Sequence, residues 1–513
     1  MNKIYQGIVN NKFNILKKII LLLGIISVFY VTFTVPKEKF KWGVDDVYIS
    51  LRYAKVLADE HVLSFNFSDR VQGFTNLGWV LINSIVYKLN QMSQGNLNAY
   101  FGGRTFDVID ILRFLNMLLL TFYLLFICQG WKRGFIAALA ITYFYPLLLW
   151  AGCPLETLAF AISVGSLYSA LYYVENRSLL LLSVLSICLL RFDGFVWIAA
   201  FVIPACMGRR EKWTDGFFAL LLTGLTLGSI LSFSYFYYGD PLSNTFYVKK
   251  TTSFLSPMSL LSKIQYYRTY LFLHALPAIF ITRSWRLLLS FIGITYFYLH
   301  FMEWMPGGRY LLGLAAISCY EMIRFSDSII PAIKKVFSSK FDKNVLSGLA
   351  LVFIQALLIA KYYNPQMEWD IQRTRGIEHI TESNLQVGNL SDIHQYFTDK
   401  TKKLTVIAQE PGAISFFMPA HVRVIDFHDV PLNNKEFAKR TLERDGSLEH
   451  YDADFVIVEA RHQETPLHLE TLLNDIPQPK NFKILNEKYK ILRFMPFAEN
   501  YVWAIWVKKD LKM

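Results

Sequence analysis

The chain has 513 residues, of which 53% are hydrophobic and 16% aromatic, while only 18% are charged. Soluble globular domains carry about a quarter charged residues, so this balance excludes an ordinary soluble enzyme and predicts a polytopic α-helical membrane protein. The net charge of +12, from 52 Lys and Arg against 40 Asp and Glu, fits basic loops on a cytoplasmic membrane face. No basic, aromatic-rich module argues for a nucleic-acid partner.

At the N-terminus, Lys12, Lys17 and Lys18 precede an apolar run from Ile19 to Val35 with no small-residue cleavage site after it. This pattern predicts a retained signal anchor with the N-terminus in the cytoplasm. Residues 36–108 then form a long first outer loop. It contains WGVDDVYISLRYA, residues 42–54, in which Asp45 and Asp46 precede an apolar face of Val47, Leu51, Ala54 and Leu57-Ala58. Asp46 is a natural N-cap for such a helix. Capping needs one carboxylate, so the second is left for a general base or a metal ligand. Arg52 is placed to pair with these acids or to face a phosphate. The apolar stretch Leu77–Leu89 is about 13 residues and holds Asn83 and Ser84, which suits an interfacial or re-entrant helix. A spanning segment there would invert every later basic loop.

Beyond this loop the charges sort by parity. Helices are predicted near 110–129, 134–151, 157–174 and 178–190, then one that returns to Arg209 and one near 215–237, followed by a pair turning at Arg283 and Arg286. Further helices near 310–324 and 345–361 bring the total to about eleven spans. Trp131-Lys132-Arg133, Arg177, Arg209-Arg210-Glu211-Lys212 and Lys334-Lys335 fall on the cytoplasmic face. The opposite face collects FTNLGW with Asn76, GCPLET with Glu156, RFDG with Arg191 and Asp193, YGDPLSNTFYVKK with Asn244, Lys249 and Lys250, and EWMPGGR with Arg309. A lysine pair on the outer face runs against the positive-inside trend, which favours an anionic ligand. Arg309 follows a Gly-Gly turn at a helix start, where backbone N–H groups favour phosphate. Headgroup contacts, helix caps and structural ion pairs are the plainer readings of these residues.

All five cysteines lie in or beside apolar segments, so no disulfide framework is indicated. Asn66-Phe67-Ser68, Asn176-Arg177-Ser178 and Asn389-Leu390-Ser391 match the glycosylation sequon. From Tyr362 the composition turns polar. KLTVIAQE, VRVIDFHD and DFVIVEA read as buried strands, which predicts a small extracytoplasmic α/β domain over 362–513 beside a membrane module over 1–361. No GxxxxGK[ST] loop is present, so nothing indicates ATP hydrolysis.

The motifs DDVYISLRYAKVLADEHVLSFNFSDRVQGFTNLGW, GCPLETLAF, LRFDGF, YGDPLSNTFYVKK and EWMPGGRYLL, in that order, resemble the GT-C superfamily of polyprenyl-phosphate-sugar-dependent glycosyltransferases. The terminal arabinofuranosyltransferase type and its bacterial relatives are the most similar in pattern. The resemblance covers about residues 15–360, and KLTVIAQEPGAISFFMPAHVRVIDFHD resembles the periplasmic domain of the same relatives. Cys153-Pro154 departs from the short Gly-Leu-Glu-Thr usual there.

The resemblance implies an inner-membrane, multi-pass inverting glycosyltransferase of cell-envelope polysaccharide or lipopolysaccharide assembly. Asp45 would be the general base, with Asp46 orienting it, and the pair would hold a divalent cation (Mg, Mn or Ca) if one is used. Arg309, Lys249, Lys250 and Arg52 would bind the donor phosphate. Glu156, Arg191, Asp193, Asn244 and Asn76 would bind substrate or support the site. The partners implied are a polyprenyl-phosphate-linked sugar, a glycan, lipid or protein acceptor, and the bilayer. A flippase of lipid-linked sugars and an O-antigen-ligase-type transferase are the alternatives.

Overall fold

A computed structural model describes residues 44–67, 69–93, 108–128, 145–246, 275–299, 308–336, 390–397, 403–409, 411–419, 421–427, 452–461, 479–498 and 501–511, with a few shorter stretches between them. The predicted spans near 19–35 and 345–361 lie outside the described residues, as do Trp131-Lys132-Arg133, Lys249 and Lys250.

The described residues fall into two compact units. One takes those within Ile109–Gly224 and Leu255–Arg375; the other takes those within Gly43–Val108, Leu225–Phe254 and Gly376–Met513.

The second unit opens with α1 (Asp45–Glu60), preceded by Val44 in extended conformation. Val47, Leu51, Ala54 and Ala58 are buried along one face at helical spacing, as the sequence pattern predicts. The helix closes at His61, in the left-handed conformation, whose N–H returns to the Leu57 carbonyl. α2 (Leu77–Ser93) is a turn longer than the apolar run suggests. Trp79, Val80, Asn83 and Val86 face inward, while Leu81, Ile85, Leu89 and Met92 form an exposed apolar stripe. That amphipathicity suits a helix lying in a membrane interface.

The C-terminal part carries a five-stranded sheet of order β2-β1-β3-β5-β4. Its strands are β1 (Thr405–Ala408), β2 (Arg423–Asp426), β3 (Phe455–Arg461), β4 (Tyr489–Ala498) and β5 (Tyr501–Lys508). β1 pairs in parallel with β2 and β3, while β5 runs antiparallel between β3 and β4. The three apolar segments expected as strands are β1, β2 and β3. Tyr53, Phe65, Phe74 and Val80 of the outer loop share one core with Val406, Ile414, Val424, Phe455 and Trp503. The outer loop also closes the edge of the sheet: the Val424 N–H donates to the Asn66 side chain (2.8 Å), which donates back to the Val424 carbonyl (2.8 Å). Edge strands left open invite pairing with other chains. Asn66 is consequently buried, with its side-chain amide committed to the sheet.

The first unit is helical: α3 (Val108–Cys128), α4 (Tyr145–Ala151), α5 (Thr157–Ser169) extended by a π turn to Val174, α6 (Arg177–Leu190) and α7 (Gly194–Cys206). α8 (Trp213–Tyr238) begins in this unit and ends in the other. α9 (Leu276–Thr282), α10 (Trp285–Tyr298) and α11 (Leu312–Val336) complete it. Among the described residues three helical segments are long and apolar enough to cross a membrane: Val108–Ile127, Thr157–Val174 and Arg210–Tyr238. α11 continues through Lys334 and Lys335, where the sequence suggested a basic loop.

Candidate functional site

Asp45 and Asp46 occupy the first turn of α1, where negative charge meets the positive end of the helix dipole. The expected cap by Asp46 is not made: Val44 holds the cap position with no side-chain bond. The Asp45 carboxylate is turned instead to a second helix, α12 (Pro411–Phe416), which follows β1. Its Oδ1 accepts the Ala413 N–H (2.6 Å) and its Oδ2 the Gly412 N–H (3.0 Å). A side chain at Gly412 would drive its Cβ into the Asp45 carbonyl oxygen. Glycine is thus the residue that permits this approach. Burial pushes the Asp45 carboxyl up to about 7, the two N–H bonds oppose that rise, and the charge of Asp46 adds to it.

At the other end of α12 the charges reverse. Arg52 is fully buried, and its Nε donates to Phe65 O (3.3 Å), Nη1 to Met418 O (2.7 Å) and Ser415 O (3.4 Å), and Nη2 to Val422 O (3.0 Å) and Pro419 O (3.1 Å). Lys55 adds bonds to the Phe416 and Met418 carbonyls, both 3.0 Å. The seven residues from Asp45 to Arg52 rise about 10 Å, close to the length of the six-residue α12. The anion and the cations of α1 therefore match the two ends of the α12 dipole. This overturns the phosphate role expected for Arg52, since its donors are spent on carbonyls in a dry interior. Burial lowers its pKa only to about 10, so it stays charged.

Asn76 and Asn244 support the same unit. Asn76 donates to Ser50 Oγ (3.2 Å), and its carbonyl starts α2 by accepting the Trp79 and Val80 N–H groups. The Asn244 N–H donates to Gln72 O (2.9 Å), tying the 240–246 loop to the outer loop. Asp426, buried at the end of β2 and in register with Ala408, lies at the sheet edge from which α12 departs. The sequence reading passed over it because it lies within a strand.

The helical unit brings together four of the residues expected in the outer loops. Arg309 Nη2 donates to Glu156 Oε1 (3.1 Å), with Glu156 only 2% exposed. Arg191 holds Asp193 through two bonds, Nε to Oδ1 at 2.9 Å and Nη2 to Oδ2 at 2.8 Å. Its guanidinium lies over the rings of Phe160 (5.1 Å) and Tyr310 (4.9 Å). Tyr310 stacks on Tyr298 (5.0 Å, 9° between planes), and Tyr298 donates to Asp193 Oδ2 (2.7 Å). Because Arg309 and Tyr310 are adjacent, the two ion pairs form one cluster. Arg113 and Asn116 of α3, unremarked in the sequence, hold the carbonyls of Gly152, Cys153 and Leu155 and so shape the GCPLE loop. Cys153-Pro154, the departure from the family pattern, lies in this buried and hydrogen-bonded turn. Asp370, another buried acid that went unnoticed, accepts the hydroxyls of Tyr145 and Tyr270. Tyr270 packs under Gly308, whose φ of +58° favours glycine and aims Arg309.

For a divalent cation, Asp45 and Asp46 would supply carboxylate oxygens, each Asp45 oxygen also accepting one N–H bond, and a hard cation takes six or more oxygen ligands. Among the described residues no three His, Cys, Asp or Glu side chains converge.

No protein-family model matches the chain, and no curated protein does. Among solved structures it is similar to ArnT from Cupriavidus metallidurans in the apo state, at 10% identity and a TM-score of 0.47, covering 97% of this chain and 98% of that one. It is also similar to the same protein bound to undecaprenyl phosphate, at 11% identity and a TM-score of 0.48, covering 94% and 97%. At these values the likeness decides neither fold nor chemistry, and both rest on this chain's own residues.

Proposed function

We propose that this protein is an inverting glycosyltransferase that moves a sugar from a polyprenyl-phosphate donor to an extracytoplasmic glycan, lipid or protein acceptor in cell-envelope assembly. The observation that carries the proposal is the Asp45 carboxyl at the start of α1, lifted to about 7 beside a second carboxylate. A base with a pKa near the working pH combines the right protonation state with a driving force for proton transfer. The five loop motifs in family order support the same reading, as does the long apolar character of the helices.

In the proposed step Asp45 takes the proton of an acceptor hydroxyl, and that oxygen bonds to the anomeric carbon. The carbon–oxygen bond to the lipid phosphate breaks on the opposite face, and the phosphate leaves with the bonding pair. Of the expected phosphate cations, Arg309, Lys249 and Lys250 remain candidates from sequence, and Arg52 is withdrawn. The paired N–H bonds at Asp45 favour a second assignment, in which Asp45 positions α1 and Asp46 takes the proton.

The donor separates this function from its rivals. The purified chain is incubated with polyprenyl-phosphate monosaccharides and, separately, with polyprenyl-diphosphate glycans, and the released lipid is read by mass spectrometry. Release of lipid monophosphate from the first donor supports the proposal. Release only from the diphosphate donor indicates a ligase-type transferase. Release from neither, with lipid-linked sugar crossing vesicle membranes instead, indicates a flippase.

A further inference from the structure

A cavity of about 620 Å³ opens within the helical unit at the end of α5 remote from Glu156. Seventeen residues separate Glu156 from Tyr173, about 25 Å at the rise of a helix. That is close to the thickness of a bilayer core. The segments lining the cavity are the end of α5, the turn before α8, the turn between α9 and α10, and the middle of α11. The basic loops that adjoin these segments are the ones that charge parity places on the cytoplasmic face.

The lining is cationic and hydroxylated. Arg324 lies over the Tyr173 ring at 3.6 Å. Arg209 lines the same space, and among the described residues its guanidinium makes no hydrogen bond or ion pair within the protein. Glu321 is buried, and its Oε1 accepts the Tyr168 hydroxyl at 2.9 Å. Ser284 caps the 14-residue α10 by accepting the Leu287 N–H, so the positive end of that helix dipole also borders the cavity. Two guanidiniums and a helix N-terminus outweigh one carboxylate that is already bonded.

We infer that this cavity binds the phosphate ester of an anionic lipid headgroup from the cytoplasmic leaflet, with Arg209 and Arg324 as its ligands. Guanidinium is suited to phosphate because its planar donors meet two oxygens at once. The cavity is far larger than a bare phosphate, which leaves room for the glycerol or sugar that carries it. The inference uses the parity orientation and is independent of the transferase reading.

The test uses the full chain in detergent. Short-chain phosphatidylglycerol, phosphatidylcholine, glycerol 3-phosphate and inorganic phosphate are titrated, and binding is read by native mass spectrometry and by thermal stabilisation. Phosphatidylglycerol is expected to bind more tightly than phosphatidylcholine, and Arg209→Ala to weaken it by about tenfold, the loss of one charge-assisted contact. Glycerol 3-phosphate or phosphate binding as well as the lipid, with the same loss in Arg209→Ala, assigns the site to a soluble phosphate ester instead. Arg209→Ala guards against misfolding, since among the described residues only the Arg209 backbone is hydrogen-bonded within the protein, whereas Arg324→Ala removes a ring contact. Equal binding of phosphatidylglycerol by wild type, Arg209→Ala and Arg209→Glu overturns the inference.

Discussion

Replacing Arg52 by methionine removes the charge while keeping much of the volume. Its four shortest contacts run from 2.7 to 3.3 Å, and bonds of this charge-assisted kind are worth about 1.5 kcal/mol each. Against them stands the cost of drying the guanidinium, about 3 kcal/mol for a pKa lowered to about 10. The balance favours Arg52 by about 3 kcal/mol, and the carbonyls orphaned by methionine add to the loss. Arg52→Met is therefore expected to lower the apparent melting temperature of the purified chain by about 3–6 °C. The assay is thermal unfolding in detergent followed by tryptophan fluorescence. Arg52→Lys keeps the charge but lacks the planar fork, so it too is expected to lose stability. A phosphate-binding arginine predicts the reverse pattern: Arg52→Lys would melt with the wild type and show a raised KM for the donor. That result, or an unchanged melting temperature in Arg52→Met, refutes the reasoning.

Other outcomes follow from the same geometry. Gly412→Ala places a Cβ within 2.7 Å of Asp45 Oδ2, so it is expected to cost about 1–3 kcal/mol by overpacking and to lower transfer activity, read by melting and by turnover. The raised pKa of Asp45 means that the folded state binds this proton more tightly than the unfolded chain. Its stabilising contribution is complete below the ordinary carboxylate range and is lost as pH rises towards about 7; Asp45→Asn should flatten the melting-temperature profile across that window. For the buried Glu156–Arg309 pair, Glu156→Gln or Arg309→Gln alone breaks the ion pair, while the double variant should recover about 1–3 kcal/mol of the summed loss in a double-mutant cycle.

Much of the arrangement was legible where a local pattern carries it. The apolar face of α1 and the buried runs of β1, β2 and β3 follow directly from residue spacing, and the gathering of Glu156, Arg191, Asp193 and Arg309 follows from loop order. The β4–β5 hairpin escaped because Pro496 sits inside β4, and register shifts at Ile491/Arg493 and Pro496/Ala498 break its alternation. The partners of Asp45 and Arg52 escaped for a different reason. All but Phe65 lie more than 360 residues away along the chain, and a carboxylate that caps a distant helix looks, in sequence, like one that caps its own.

The central claim is that a carboxylate at the start of α1 takes the acceptor proton. Its most direct test is the single-turnover rate of sugar transfer from a polyprenyl-phosphate donor by wild type, Asp45→Asn and Asp46→Asn, each shown to be folded. The account predicts a fall of about 10²–10⁴-fold in at least one variant. Transfer at the wild-type rate by both would contradict it.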